Sequence, residues 1–334
     1  MLKKFISIIL LTSCSPFIFV SCNSKNHKPL TLVMAEVNPE DTVAGQMDKA
    51  FKEKVEELSK GKIIIDVQYS GILGDENQVM RLLMSEDTSI QLVRGPANIS
   101  AYTNGYPVKS SLISIPYTFS NDDHFWNFAK SDVAQDILNE PYELGFGIKG
   151  LFYGQEGLRH YFSTVKIETV SDLKGKKMRV SGTILPQLAN AFEAIPIEIK
   201  YTDLYASLQT GKTEVAEQPI SNYLQNAFYQ VAPYMIFDGH MLGAISVMIN
   251  ARCWDSLSAD QQNILLSAGE YACDYCHKIV DEANKEALAQ LKQKGIVFTE
   301  VKDSTPWQNA CSEIRKEAAA INPILYHQIL DLEK

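Results

Sequence analysis

Apolar strand-like runs alternate along this chain with stretches of helical period. Leu30–Ala35 (LTLVMA) reads as a short buried strand, and Gln46–Leu58 sets Met47, Ala50, Phe51, Val55 and Leu58 at helical spacing. Gly61 stops that helix, and Lys62–Tyr69 (KIIIDVQY) follows as a β-branched strand. The turn SGILGDE then feeds a helix over Asn77–Met84, with Asp75 placed to cap its free amides. Later the pattern predicts a helix over Pro186–Phe192, a strand over Ile195–Ile199 (IPIEI), and a helix over Leu204–Thr210 capped by Thr202 or Asp203 and closed by Gly211. Met241–Asn250 (MLGAISVMIN) is an apolar strand. Ser258–Lys294 is a proline-free helix ended by Gly295, with Ala268, Ala272, Cys276, Ile279, Ala283, Ala287 and Leu291 on its buried face. At 1.5 Å per residue that helix would run about 55 Å, longer than one small domain.

The first residues follow a different pattern. Lys3 and Lys4 precede an apolar run from Phe5 to Val20 that is too short to span a bilayer, as in an export signal. The run ends at Phe19-Val20-Ser21-Cys22, which resembles a bacterial lipobox, with Phe19 where Leu or Val is usual. We therefore expect residues 1–21 to be a signal peptide, Cys22 to be the lipidated residue, and residues 22–29 to be a polar tether. No later run is apolar enough to cross a membrane, so the expected location is extracytoplasmic, with a lipid anchor on the bacterial cell membrane.

Composition narrows the field further. The 334 residues are 46% hydrophobic and 21% charged, which describes an ordinary folded chain long enough for two domains. The net charge of −9 carries no electrostatic footprint for nucleic acid. It does not exclude an anionic ligand, because arginines in a cleft can override the overall charge.

Two motifs could carry cofactor chemistry. Gly145-Phe-Gly147-Ile-Lys-Gly150 fits G-x-G-x-x-G, but a dinucleotide site needs a strand before it and a helix after it. Here the order is reversed, and we read a helix-to-strand turn. Cys273-Asp-Tyr-Cys276-His277 matches C-x-x-C-H haem attachment, yet its cysteines fall on or near the core face of the long helix. Cys253 and Cys311 offer no second ligand pair at zinc spacing, so neither a metal nor a cofactor is expected. No G-x-S-x-G, H-E-x-x-H or P-loop is present, and the carboxylates read as scattered over solvated helix faces.

The stronger candidates are Arg159 and Arg179, each inside an apolar strand-like run (LRHYF and KMRV). A guanidinium is rarely buried without an anion, and its planar fork matches a carboxylate with two parallel hydrogen bonds. For either residue a structural ion pair is the competing reading. In K-M-R-V, Lys177 and Arg179 fall on the face opposite Met178 and Val180.

The order D-L-K-G-K-K-M-R-V (172–180), Y-T-D-L-Y-A-S-L-Q-T-G (201–211) and Glu217-Gln218-Pro219 resembles the signature region of TRAP-transporter solute-binding proteins. The turn Leu73-Gly-Asp-Glu76 and the stretch Ser114–Trp126 also match, so the resemblance covers nearly all of the mature chain. In this chain Glu214-Val215 stands for the family's Asp-Gly, Gln218 for its Asn, and Val180-Ser181 for its Val-Pro. Gln218 reaches one methylene further than Asn.

The resemblance implies a two-domain α/β fold of the periplasmic-binding-protein, Venus-flytrap type, with mixed sheets and a long helix crossing both domains. The expected division is 30–156 with 244–283, and 157–243 with 284–334. The implied function is non-enzymatic: a receptor that captures a small organic anion, expected to be a carboxylate, and delivers it to a TRAP permease driven by an ion gradient. Arg179 would clamp the carboxylate, Arg159 and Gln218 would add hydrogen bonds, and Tyr201, near the ligand in the family, would add apolar contact. The alternatives are a c-type haem electron carrier through Cys273, Cys276 and His277, and an exported enzyme with an unrecognised catalytic group.

Overall fold

Nine strands form one hydrogen-bonded sheet in the computed structural model, which describes residues 28–86 and 89–333. The strands are β1 (Leu30–Ala35), β2 (Ile63–Gln68), β3 (Leu92–Pro96), β4 (Ile148–Ser163), β5 (Lys177–Val180), β6 (Ile195–Glu198), β7 (Val215–Pro219), β8 (Tyr234–Asn250) and β9 (Val297–Glu300). The spatial order is β2-β1-β3-β8-β4-β7-β5-β6, with β9 beside β8. β1, β2 and β3 pair in parallel, as do β5, β6 and β7, while β4 and β8 run antiparallel through the middle. The signal peptide and Cys22 lie outside the described residues, as does most of the tether.

The two strand groups are joined because β4 and β8 are 16 and 17 residues long and serve both. β8 begins seven residues before the expected Met241, and its pairing with β4 is interrupted between Ile236 and Met241, where Gly239 takes a φ of 57° that glycine adopts without strain. Around the middle of β4 the pairing slips between Gln155 and Leu158. Gly157 sits in that slip with φ 101°, and a Cβ there would meet Asn284 Nδ2 at 2.4 Å.

A separate apolar core lies under each group. The first gathers Leu32, Met34, Phe51, Ile65, Phe125, Phe128 and Tyr153, and the second gathers Met178, Val180, Leu188, Val215 and Trp307. Fully burying one such large side chain contributes about 1.5–3 kcal/mol, so each half holds its own shape. The long helix, observed over Ala259–Gln293, gives Leu265, Ala268, Ala272, Cys276 and Val280 to the first core. Further along, Leu291 packs with Phe162 and Leu204 on the other side of the sheet's crossing strands, so one rigid rod serves both halves. The last helix, Pro323–Asp331, returns to the first core through Leu325, Tyr326 and Ile329, and His124 Nε2 meets Ile329 O at 2.8 Å. In packing, this tail differs from the expected placement of 284–334 with the second half.

Local chemistry sets the helix starts. Thr42 Oγ1 accepts from Gly45 N, and Asp75 with Gln78 forms a reciprocal capping box, as does Ser258 with Gln261. The expected cap at Thr202 or Asp203 is absent: a 3₁₀ turn over Tyr201–Asp203 runs straight into the helix Leu204–Gln209, and no side chain caps it. Gly145 and Gly147, at φ 74° and 78°, turn the helix Asp132–Glu143 into β4, so the G-x-G-x-x-G match is a helix-to-strand turn.

Candidate functional site: a cleft with one under-compensated arginine

A cleft of about 660 Å³ opens where β3, β4, β5 and β7 converge, and Arg159, Arg179, Tyr201 and Gln218 all line it. Arg179 is buried while Lys177 is exposed, and Met178 and Val180 point into the second core. That arrangement follows from strand alternation in K-M-R-V.

The arginines differ in what they face. Arg159, on β4, holds Glu217 of β7 through two parallel bonds: Nε donates to Oε2, and Nη2 donates to Oε1 at 2.9 Å. Burial works against the Arg159 charge, but Glu217 outweighs it and lifts the guanidinium pKa above its ordinary value. The guanidinium of Arg179 makes one hydrogen bond among the described residues, from Nε to Ile199 O at 3.1 Å. Its nearest carboxylate oxygen is Glu217 Oε1 at 3.9 Å, already taken by Arg159. Burial therefore pulls the Arg179 pKa down, Glu217 offsets part of this, and Arg159 adds to the fall.

A third arginine completes the cleft. Arg94 on β3 forks onto Glu36 just beyond β1, with Nε donating to Oε2 at 2.5 Å and Nη2 to Oε1. Glu36 Oε1 also accepts from Asn38 N at 2.5 Å. Behind this pair, Asp48 of the helix Val43–Leu58 is fully buried, neither of its oxygens has a donor among the described residues, and the group it faces is Glu36. Two carboxyls in contact attract only when one keeps its proton. Burial first, and Glu36 second, hold Asp48 well above the usual carboxylate range.

Glu156, on β4, lies on the cleft floor with Oε1 accepting from Asn222 Nδ2 at 2.9 Å. Burial raises its pKa against the pull of Arg94, Asn222 and Arg159. Asn284 of the long helix bridges the Glu156 carbonyl, at 3.3 Å, and Ser221 N, at 3.1 Å. Three buried polar atoms of cleft-lining residues have no partner among the described residues: Asn38 Oδ1, Asn222 Oδ1 and the Tyr201 hydroxyl. His240 stands behind Glu217, with Nε2 3.8 Å from Oε2, Nδ1 2.6 Å from Asp238, and its ring stacked on Tyr161.

The reading of the carboxylates as scattered and solvated is thus corrected. Glu36, Asp48, Glu156, Glu217 and Asp238 are all buried, because the topology carries residues distant in sequence to one crossing. Arg94 sits in an apolar run, LVRGP, of the same kind that singled out Arg159 and Arg179, so that signal was available. Cys273 and Cys276 lie mid-helix in the first core; Cys276 Sγ donates to Gln155 O at 3.2 Å, and His277 stacks on Trp126.

Two α/β halves sharing long crossing strands, with charged groups converging on the cleft between them, define a solute-binding protein. The chain matches the family described as "Bacterial extracellular solute-binding protein, family 7" over residues 34–321, and it belongs to that family. It is 26% identical to the C4-dicarboxylate-binding periplasmic protein DctP of Shewanella loihica, covering 92% of this chain and 90% of that one. It is 24% identical to the sialic acid-binding periplasmic protein SiaP of Vibrio cholerae, over 80% of this chain and 82% of that protein. Among solved structures, a TRAP periplasmic solute-binding protein from Pseudomonas putida with bound D-glucuronate superposes with a TM-score of 0.84 at 24% identity, covering 90% of this chain and 96% of that one. One from Shewanella oneidensis with bound succinate also gives 0.84, at 22% identity, covering 92% and 100%. No helix among the described residues is long and apolar enough to cross a membrane.

Proposed function

We propose that this chain is a lipid-anchored receptor that closes on a small organic carboxylate and hands it to a TRAP permease in the membrane. The observation that carries the reading is Arg179, a buried guanidinium in the cleft whose nearest carboxylate is engaged by another arginine. An anion with two oxygens in one plane would supply what it lacks. Arg159 is held by Glu217 and so presents a fixed edge, while Gln218 and the Tyr201 hydroxyl border the same space. The relatives named for dicarboxylate or sialic acid binding support an organic acid as cargo. Closure would swing 157–243 against the half built on 30–156 and 244–283, bending where β4 slips at Gly157. The permease partner and the Cys22 anchor rest on the family resemblance and on the Ser21-Cys22 sequence.

Mass spectrometry of ligand retained through gentle purification, followed by thermal shift against a carboxylate library, tests the cargo. An acid should be recovered, and it should raise the unfolding temperature; a tight ligand with no anionic group would sink the reading. Intact-mass analysis of native protein tests the anchor, with an acylated Cys22 expected and an unmodified N-terminus counting against it.

A further inference from the structure

We propose that the mouth of the cleft carries an electrostatic latch, in which Lys200 of one half closes onto Asp75 of the other and favours the closed receptor. This rests on the closure proposed above and names the contact that holds it.

Polar contacts join residues on opposite sides of the cleft at three places along its edge. Lys200 Nζ stands 2.6 Å from Asp75 Oδ2, and Ser100 Oγ stands 2.8 Å from Thr183 Oγ1. Gln225 Nε2 donates to Asp41 O at 2.8 Å. Asp41, Asp75 and Ser100 belong to the half built on β1, β2 and β3, whereas Thr183, Lys200 and Gln225 follow the ends of β5, β6 and β7. Gly71 and Thr202 meet at the same edge, where a Cβ on the glycine would lie 3.7 Å from Thr202 Cγ2. A swing that opens the cleft parts these pairs. The pairs Arg94–Glu36 and Arg159–Glu217 each stay within one half and do not sense it.

Of the three, the ion pair has the reach to act before contact. Two hydroxyls, or an amide and a carbonyl, interact only at hydrogen-bond distance and exchange for water at little gain. Opposite charges attract over about 10 Å at 0.1 M salt. Asp75 is also held ready. Its Oδ1 accepts from Gln78 N at 3.0 Å as the cap of the helix Glu76–Leu83, which leaves Oδ2 for the other half. That cap lies within one half, so it fixes the carboxylate whether the cleft is open or shut. The Asp75 side chain is 9% exposed and that of Lys200 55%, so a sheltered anchor meets a long arm reaching through solvent. Burial opposes the Asp75 charge, but Lys200 and the Gln78 amide outweigh it and hold the carboxyl pKa below its ordinary value.

The test uses the mature chain without ligand. Ser100→Cys and Thr183→Cys put two thiols where the hydroxyl oxygens stand 2.8 Å apart, and Cys22→Ser removes the thiol of the expected anchor. At equilibrium with reduced and oxidised glutathione, the joined fraction gives the effective concentration of one thiol at the other, which rises with the closed population. Mass spectrometry of the cross-linked peptides reads that fraction. Asp75→Asn keeps a capping side chain, removes the charge, and should lower the effective concentration about threefold in about 20 mM salt. The loss should fade in about 0.5 M salt. In a Lys200→Glu background the same Asp75→Asn change should raise the effective concentration, because it relieves a repulsion. Neither the cap nor packing reverses sign in this way. If Asp75→Asn acts alike in both backgrounds, or salt leaves its effect unchanged, the latch is overturned while closure stands. If the two thiols never join, the halves do not meet at the mouth, and closure and latch fall together.

Discussion

Arg94 and Arg179 face one cleft from opposite halves of the molecule and are almost equally hidden from water, at 3% and 6% exposure. Arg94 is locked to a carboxylate of its own, Glu36, and backed by Asp48 and Glu156. Arg179 has only a second-hand share of Glu217. Burial opposes both charges, yet Glu36 lifts the Arg94 pKa above its ordinary value, whereas that of Arg179 falls below it. The same residue type in the same kind of apolar strand is therefore finished in one half and left open in the other. A finished pair contributes to the fold; an open one is available to a ligand.

The sharpest way to break that distinction is to remove each arginine and ask what is lost. Arg94→Ala strands Glu36 beside two further carboxyls in a dry environment. Removing one partner of a buried pair costs about 3–5 kcal/mol, so the urea midpoint should fall steeply. Arg179→Lys should leave that midpoint nearly unchanged, because no paired carboxylate is abandoned. It should weaken binding of the retained acid at least tenfold, about 1.4 kcal/mol, since an ammonium cannot form the two-bond fork. Arg159→Lys keeps a charge on Glu217 and should cost less affinity than Arg179→Lys. Calorimetry and denaturation on the same samples decide the matter; a stable Arg94→Ala, or an Arg179→Lys that binds as wild type does, would end the comparison.

Which side of this contrast was legible in the sequence follows from distance along the chain. Arg159, Arg179, Tyr201 and Gln218 lie within one 60-residue stretch whose spacing can be read as a pattern. The floor is different: Glu36, Asp48, Arg94, Glu156 and Asn222 come from five separate segments of the chain that meet only in the folded protein. Strand and helix periods were plain where apolar residues repeat, as in the helix Ala259–Gln293. Asp203 looked like a cap because its residue type is right, but it is the last residue of a 3₁₀ turn that runs directly into the helix. The tail helix Pro323–Asp331 packs on the first core by a long-range contact that no local pattern announces.

Asp48 offers a finer probe of the finished side. Its pKa is raised in the folded state, so the folded protein holds a proton that the unfolded chain would release above about pH 4. Stability from this group is fully present below that pH and declines as pH rises through the raised value. Asp48→Asn puts a permanent donor against Glu36 and removes the need for the shared proton. The variant should gain about 1 kcal/mol over wild type at pH 8, with the gain shrinking towards pH 4. Unfolding midpoints across that range measure it, and a gain that grows on acidification would contradict the shared-proton geometry.

The smallest expected effect concerns the open side, at Tyr201. Its ring packs edge-on against Phe228 in an apolar cluster, while its hydroxyl is buried and partnerless at the cleft. Burial raises its pKa, and Glu156 adds to that, so the hydroxyl keeps its proton and can donate. If it serves only the fold, Tyr201→Phe removes an unsatisfied polar atom and costs nothing in either stability or affinity. If it completes the contacts that Arg179 begins, the same change should leave stability level and weaken ligand binding by about 0.5–1 kcal/mol, a few-fold in Kd. The hydroxyl is the only thing removed, and the ring that fills the wall remains. A loss confined to affinity therefore assigns Tyr201 to the ligand, and an unchanged Kd returns it to the core.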